Sequence, residues 1–241
     1  MDKTFKVIPA LDLIDLDKLE SLIQAIDDHP LIYGYKIGFS LGLTYGLIRV
    51  CKLLQKHTAK PLIYDHQKAA TDIPETGELF ADVMKFSGIT EVIIFPLAGP
   101  ETLKAWIDAL QDKALKVIVG GIMTHPGFLE SEGGFIRDLA AIKIYQQAFD
   151  KNVRDFVVPL TKPEITKKIY SEVGLDDTCT FYSPGYGKQG GNLANFSYIK
   201  SHYLIIGRSL LNVEDPALYL DEVSKQINLL NKFNRGKNEK A

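Results

Sequence analysis

The alternation of short apolar runs with longer amphipathic segments is the feature of the sequence that most restricts its fold. Eight runs of β type occur, and they lie at positions 5–13, 33–39, 61–66, 91–97, 116–122, 154–160, 179–184 and 203–209. Their apolar residues are continuous rather than alternating, which is typical of parallel strands covered on both faces. Between them, apolar residues recur every three or four positions, as in amphipathic helices.

Eight β/α units within 241 residues favour an α/β fold of the (β/α)8 TIM-barrel class. We assign a single barrel domain to residues 1–230 and a polar, fraying tail to residues 231–241. A doubly wound open sheet is the alternative architecture. It does not usually need eight strands, and its G-x-G-x-x-G motif does not follow the first run.

Composition and charge argue against several classes of partner. The formal net charge is -2, so the chain lacks the polycationic surface that binds nucleic acid or anionic membranes. No apolar run approaches the roughly 18 residues of a membrane-spanning helix. The N-terminus predicts a first strand rather than a signal peptide.

Cys51 and Cys179 have no metal-type spacing, so we expect two buried thiols in a reducing compartment, the cytoplasm.

Polar residues follow most of the predicted strands. In a (β/α)8 barrel, chemistry takes place at the C-terminal ends of the strands. Asp12 and Asp65 end the first and third runs, and Lys36 lies late in the second. One charge at a strand end is common, but such groups after most strands of one barrel indicate an active site. Polar segments also follow the fifth, seventh and eighth runs: "MTHPG" (123–127), "SPGYGKQGG" (183–191) and "GRS" (207–209).

The segments after the seventh and eighth runs have the residues of an anion site. The four glycines within 185–191 let backbone N–H groups approach an anion, and Gln189 adds a neutral amide. Gly207 offers another unshielded N–H, and Arg208 a planar fork of donors. For either segment alone, the better explanation is structural: glycine-rich turns, and an arginine that caps a helix or pairs with an acid. Together, on adjacent strands of a barrel, they favour a phosphate site.

The stretch "DHQKAATD" has two interpretations, a solvated charge cluster or a catalytic array made by Asp65, Lys68 and Asp72. A solvated helix start explains Asp72, which can cap the helix that follows. It explains Asp65 poorly, because this residue directly follows an apolar strand. Lys36 lies inside an apolar strand and therefore needs a partner. Because the second strand neighbours the first and third, we predict that Lys36 lies between Asp12 and Asp65.

The motifs "DIPET", "THPG", "SPGYGKQGG" and "IIGRS" resemble those of the orotidine 5'-monophosphate decarboxylase family. The resemblance extends from "PALDL" to "IIGRSLL", nearly the whole chain. It implies a (β/α)8 homodimer with shared active sites that converts orotidine 5'-phosphate to UMP and CO2 in pyrimidine biosynthesis. The resemblance also implies that no metal or organic cofactor takes part.

The resemblance assigns roles to individual residues. Asp12 would bind ribose and Lys36 would join a charge network. Asp65 would lie near the substrate carboxylate, and Lys68 would deliver the proton to C6 of the pyrimidine. The residues that hold the phosphate would be Gln189, Gly207 and Arg208.

Further residues would complete the site from two directions. Asp72, with Ile73 and Thr76, would reach into the active site of the partner subunit. Thr124 stands where the family usually has a serine that contacts the pyrimidine. Pro184 would lie against the base. The resemblance therefore predicts a site built from both subunits.

One departure from the family pattern stands in the charge array. The family has Asp-x-Lys-x-x-Asp, whereas this chain has Asp65-x-x-Lys68-x-x-x-Asp72, which is two residues longer. Strand side chains alternate, so one extra residue reverses the direction of Lys68 unless a bulge corrects it. We predict that the three charged residues still converge on the substrate carboxylate. The spacing leaves open which Asp–Lys pair is catalytic and whether His66 enters the site.

Two other functions remain as alternatives at this point. A metal-dependent sugar-phosphate lyase would use the same barrel, and a non-catalytic nucleotide-binding homologue would keep only the phosphate segments.

Three aromatic residues have no assigned role. His125 has two interpretations, a base or a loop residue fixed before Pro126, and the second is favoured. Trp106 is expected in the core or an interface, and Tyr186 over the ligand or exposed.

Overall fold

The structure of the protein is a computed structural model that describes residues 3–66, 72–187 and 190–238, with side chains described as far as residue 231. Eight strands form one parallel sheet, as the eight apolar runs predicted. They are β1 (Thr4–Pro9), β2 (Tyr35–Ile37), β3 (Leu62–Asp65), β4 (Glu91–Ile94), β5 (Lys116–Gly120), β6 (Asp155–Val157), β7 (Thr180–Pro184) and β8 (Ser201–Ile206).

The sheet curls into a nearly closed barrel. Its strand order is β1-β8-β7-β6-β5-β4-β3-β2, so β1 and β2 are the two edges that must meet. They are joined by short parallel bridges, Val7 with Ile32 and Ala10 with Lys36. The backbone N–H of Leu11 donates to the carbonyl of Lys36 at 2.9 Å. Closure therefore brings the end of β1 against β2, as a (β/α)8 barrel requires.

Helices follow the strands and cover the barrel. They are α1 (Leu16–Ile26), α2 (Phe39–Tyr45), α3 (Leu47–Leu54), α4 (Gly77–Ser87), α5 (Pro100–Asp112), α6 (Asp138–Asp150), α7 (Pro163–Val173), α8 (Arg208–Leu211) and α9 (Pro216–Asn238). Proline at the first helical position begins α5 and α7, where a missing N–H costs no hydrogen bond. Asp15 caps α1 by accepting from the N–H of Lys18 at 2.9 Å.

The core has two layers, as expected for a closed barrel. The larger layer lies between strands and helices, and the smaller one is formed by strand residues such as Ile63, Ile93 and Ile118. In the parallel ladder Lys36 is paired with Ile63 and Asp65 with Ile93. Because paired residues of neighbouring strands point to the same face, both charged side chains point into the barrel.

Charged and phenolic side chains fill the opposite, N-terminal end of the barrel. Lys116 Nζ lies 2.9 Å from Asp155 and 2.8 Å from the hydroxyl of Tyr182. Tyr33 donates to Glu91, which lies 4.0 Å from Lys116. Because barrel enzymes place their chemistry at the other end, we assign this cluster a structural role: it fills the N-terminal end of the barrel.

The strands are mostly shorter than the predicted apolar runs, and two of the differences in boundary bear on the predicted site and tail. The first strand ends at Pro9 rather than at position 13, so Asp12 lies in the loop after β1 and not in the strand. The last helix, α9, includes most of the segment assigned to a polar tail, and fraying of that segment stays a prediction. In the part of the chain that the structure describes, no helix combines the length and the apolarity needed to span a bilayer.

Candidate active site

A cavity of about 440 Å³ opens at the C-terminal ends of the strands. It brings together residues from the loops after β1, β5, β7 and β8 and from strands β2 and β3. The residues predicted from the sequence that line it are Asp12, Lys36, Asp65, Thr124, Pro184, Gly207 and Arg208. They are spread over nearly 200 positions of sequence, and the barrel makes them neighbours.

Lys36 lies between two carboxylates, as the strand order predicted. Its Nζ is 2.7 Å from Asp65 Oδ2 and 3.7 Å from Asp12 Oδ1. Lys36 is 3% exposed and Asp65 is 5% exposed, so the closer pair is almost completely removed from water. A Cβ on Gly38 would lie 2.7 Å from Asp12 Oδ1, so a larger residue at position 38 would displace this carboxylate.

Electrostatics keeps this lysine charged. Burial alone would lower the pKa of Lys36, but the carboxylates of Asp65 and Asp12 outweigh that effect and raise it above its usual value of 10.5. An ammonium and a carboxylate therefore face the cavity in fixed positions at neutral pH. Such preorganised charges act on a ligand without having to reorient.

The described glycines of the segment after β7 lie close to the segment after β8. Gly185 and Gly187 have φ values of 105° and 77°, a region that favours glycine. The N–H of Gly191 donates to the carbonyl of Gly185 at 3.0 Å. A Cβ on Gly187 would lie 2.8 Å from Ser209 Oγ, so Gly187 packs directly on the segment after β8. The two predicted anion-binding segments are therefore adjacent.

Arg208 is the exposed first residue of α8, and Gly207 precedes it as the N-cap. Both line the same cavity as Lys36 and Asp65. The guanidinium can thus reach an anion in the cavity without giving up a buried position.

The loop after β5 supplies another side of the cavity. Thr124 is half-buried, and its carbonyl accepts from Thr161 Oγ1 at 2.9 Å, which ties the loop after β5 to the start of α7. Pro184 is the last residue of β7. A hydroxyl and a rigid apolar ring thus stand at the cavity wall, as a planar heterocyclic ligand would require.

Three of the predicted residues lie elsewhere. Asp72 and Ile73 are exposed just before α4, and Thr76 is half-buried in a single 3-10 turn there. Asp72 accepts from the N–H of Ile73 at 2.7 Å, and Thr76 Oγ1 donates to the carbonyl of Ile73 at 2.8 Å. They do not line the cavity of their own chain. Lys68 and Gln189, the other two, lie outside the described residues.

His66 does not enter the cavity. It follows the inward-facing Asp65, so alternation turns its ring to the outer side of the barrel. There the ring lies 4.6 Å from the ring of Phe80 and 5.6 Å from that of Trp106. Burial lowers the pKa of His66 below 6.5, against smaller opposite effects of Asp65 and Asp72. The ring is therefore neutral at pH 7 and packs as an aromatic residue.

Several residues of the cavity wall were missed by the sequence analysis. They are Ala10, Met123, Ile205 and Ser209. Alanine, methionine and isoleucine carry no chemical signal, and a single serine hydroxyl is too common to be one, so only their position next to strand ends could have pointed to them. Tyr186, for which two positions were open, lines the cavity, and its hydroxyl donates to Gln226 of α9. Among the described residues, no three His, Cys, Asp or Glu side chains gather as metal ligands.

Comparison with known proteins agrees with this geometry. The family model described as "Orotidine 5'-phosphate decarboxylase / HUMPS family" matches residues 6–223. An orotidine 5'-phosphate decarboxylase of Methanococcoides burtonii is 28% identical over 228 residues, 95% of this chain and 100% of that protein. One of Methanococcus maripaludis is 32% identical over 213 residues, 88% of this chain and 92% of that protein. The crystal structure of orotidine 5'-monophosphate decarboxylase from Methanocaldococcus jannaschii, complexed with the inhibitor BMP, has a TM-score of 0.75 at 25% identity and 98% coverage of both chains.

Proposed function

Because the chain belongs to the orotidine 5'-phosphate decarboxylase / HUMPS family, we propose that it decarboxylates orotidine 5'-phosphate to UMP and CO2. The observation that carries the proposal is one cavity lined both by the buried Lys36–Asp65 pair and by Arg208. A phosphate at one end and a carboxylate at the other end are the two charged groups of this substrate. The reaction would serve pyrimidine biosynthesis.

The substrate would lie across the cavity. Its phosphate would be held by Arg208, by the N–H of Gly207 and by Gln189. Asp12 would accept hydrogen bonds from the ribose hydroxyls. Thr124 and Pro184 would contact the pyrimidine, the first through its hydroxyl and the second through its ring.

The chemistry would be electrostatic and would use no metal or organic cofactor. Loss of CO2 from C6 leaves a carbanion with no evident electron sink, so the enzyme must stabilise this anion more than the substrate. The ammonium of Lys68 at C6 would do so, because its attraction rises as charge moves from the carboxylate onto carbon, and it then supplies the proton. Lys36 would hold Asp65 in place.

Asp65 would lie beside the substrate carboxylate and disfavour the bound ground state. Two like charges about 4 Å apart repel by roughly 4 kcal/mol at an effective dielectric of 20. Binding energy from the remote phosphate would offset this cost. Tight binding of the phosphate is therefore needed to offset the repulsion between the two carboxylates.

The site would be completed in a homodimer. Leu79, Val83 and Phe86 lie at i, i+4 and i+7 of α4, and they are 68%, 47% and 79% exposed. Ile73, just before this helix, is 57% exposed next to Asp72. An apolar helix face of this kind is expected to be covered by another molecule. If a second copy packs against this helix face, Asp72, Ile73 and Thr76 of the first subunit come close to the cavity of the second.

The proposal is tested by incubating the purified protein with orotidine 5'-phosphate and measuring UMP, with and without EDTA. Equal UMP formation in both samples supports metal-independent decarboxylation, a reaction that we place in the cytoplasm. Turnover of a sugar phosphate that EDTA abolishes, with no UMP formed, would favour the lyase alternative. Binding of UMP without any turnover would favour a non-catalytic homologue.

A further inference from the structure

We propose that Thr102 and Trp106 of α5 are positioning residues that fix the backbone at Asp72 and Ile73, and so place the segment that contains Lys68 and Asp72. This inference rests on the proposed function, since it concerns the same charge array. It adds two residues of an outer helix, which lie outside the cavity wall, to those on which the reaction depends.

Two side chains of α5 donate hydrogen bonds to backbone carbonyls at the C-terminal end of this segment. Thr102 Oγ1 donates to the carbonyl of Asp72 at 3.0 Å, and Trp106 Nε1 donates to the carbonyl of Ile73 at 3.0 Å. Thr102 and Trp106 are four residues apart and therefore lie on one face of α5. Both side chains are buried, with 6% and 5% exposure, so water competes little for these hydrogen bonds.

Trp106 also contacts the beginning of the segment. The ring of His66 lies 5.6 Å from that of Trp106 with an angle of 30° between the planes. The N–H of His66 donates to the carbonyl of Ile93 at 2.9 Å, so this end is bound to β4. One indole therefore touches residue 66, where the chain leaves the barrel, and residue 73, where it enters α4. Phe80 of α4 stacks on the same indole at 4.7 Å.

The start of α4 is shaped to accept the indole. A Cβ on Gly77, the first residue of α4, would lie 2.9 Å from Trp106 Cδ1. The backbone at Gly77 is ordinary right-handed helix, with φ -60°, so glycine is needed here for space and not for conformation. Gly77 and Trp106 thus form a matched pair that brings α4 close to α5.

The longer spacing explains why such anchors matter here. The array runs over eight positions, Asp65 to Asp72, where the family pattern has six. A longer segment has more conformations to lose when its ends are fixed. Misplacing a reacting group by about 1 Å can cost on the order of 100-fold in rate. Hydrogen bonds from α5 to the two consecutive carbonyls at the C-terminal end of the array would limit that loss.

The experiment compares four variants with the wild type for kcat, KM and UMP affinity. Thr102→Val keeps the shape of threonine but lacks the hydroxyl, whereas Thr102→Ser keeps the hydroxyl. Trp106→Phe keeps an aromatic ring without the N–H. The matched control is Thr166→Val, since Thr166 is 1% exposed and its hydroxyl donates to the carbonyl of Lys162 at 2.9 Å on α7, away from the segment.

We expect Thr102→Val and Trp106→Phe to lower kcat on the order of 10- to 100-fold. KM and UMP affinity should stay within about twofold, because phosphate and ribose contacts lie elsewhere. Thr102→Ser and Thr166→Val should keep kcat near that of the wild type. The inference is overturned if folded Thr102→Val and Trp106→Phe retain full kcat, or if Thr166→Val loses as much as Thr102→Val.

A second measurement separates this inference from the proposed function. Backbone hydrogen exchange at residues 72–76 should be faster in Thr102→Val than in the wild type and Thr166→Val, with no need for turnover. If the wild type fails to form UMP, the proposed function fails, and exchange still decides whether Thr102 anchors this backbone. Unchanged exchange at residues 72–76 would refute the anchoring.

Discussion

The ammonium of Lys36 lies 2.7 Å from the carboxylate of Asp65, and the two side chains come from neighbouring strands 29 residues apart in sequence. Asp12 approaches the same ammonium from the other side at 3.7 Å. The pair is buried at the floor of the cavity that we propose to bind orotidine 5'-phosphate. It fixes the Asp65 carboxylate beside the position that we propose for the substrate carboxylate.

Removing the lysine should therefore destabilise the protein strongly. Lys36→Met takes away the 2.7 Å partner of a buried carboxylate, and we expect a loss of about 3–5 kcal/mol in the free energy of unfolding. The double variant Lys36→Met/Asp65→Asn should recover much of this, because no buried charge of the pair remains. Urea unfolding measures both.

The control for this prediction is Lys104→Met. Lys104 lies 3.0 Å from Glu101 on α5, with both side chains largely exposed, so its loss should cost less than about 1 kcal/mol. Equal effects of the two single variants would show that burial of the Lys36–Asp65 pair has no energetic consequence.

Arg208→Ala should weaken every 5'-phosphorylated ligand. A hydrogen bond to a charged group contributes about 1.5–3 kcal/mol, so the Kd for UMP should rise about 10- to 150-fold. The Kd for uridine should hardly change. Calorimetric titration measures both, with Arg49→Ala, an exposed arginine of α3, as the control. Equal losses for uridine and UMP would mean that Arg208 has a structural role only.

Lys68→Ala should abolish decarboxylation while UMP binding persists. The ammonium is proposed to act on the charge that develops at C6, so its removal should lower kcat by at least on the order of 100- to 1,000-fold. Phosphate and ribose contacts are made elsewhere, so the Kd for UMP should change by less than about threefold. A variant that still turns over at the wild-type rate would remove Lys68 from the mechanism.

Mixing inactive subunits tests the shared site. If Asp72 serves the active site of the partner subunit, then Asp72→Ala and Lys68→Ala subunits should form a heterodimer in which one site keeps both residues. Such a heterodimer should recover part of the wild-type activity after subunit exchange. Mass spectrometry confirms the exchange. Exchange without any recovered activity would place Asp72 and Lys68 in the same subunit's site.

His202 should make stability depend on pH. This histidine is 1% exposed and 2.6 Å from Ser183 Oγ, and burial, with a smaller effect of Lys3, lowers its pKa to about 3. In the unfolded chain His202 becomes protonated as the pH falls below about 6.5, whereas in the folded chain it stays neutral there. Stability from neutral His202 is present above pH 6.5 and is lost as pH falls towards 3, at about 1.4 kcal/mol per pH unit.

The measurement is urea unfolding of the wild type and His202→Gln at pH 7, 6, 5 and 4. The difference between them isolates His202 from the carboxylates that titrate in the same range. The wild type should lose stability relative to the variant as pH falls. Parallel pH profiles would contradict a depressed pKa at this position.

The sequence by itself determined the eight strands, their parallel arrangement and the polar residues that lie near the C-terminal ends of the strands. This was possible because strand and helix periodicities are local, and because a barrel places every strand end at one rim. The position of Lys36 between Asp12 and Asp65 followed from strand order alone, and the structure has this arrangement. The resemblance of the motifs to those of a known family then indicated the reaction and the role of each residue.

Only the tertiary structure decided which residues near the strand ends face the cavity. Asp65 and His66 are adjacent in sequence, yet one points into the barrel and the other packs on Trp106 outside it. Asp72 lies beyond the cavity of its own chain, and its carbonyl is held by Thr102. Trp106 could be placed only in the core or an interface, because a hydrogen bond across 33 residues leaves no local pattern. Contacts of this kind depend on how β3, α4 and α5 pack together, and that packing is set by closure of the whole barrel.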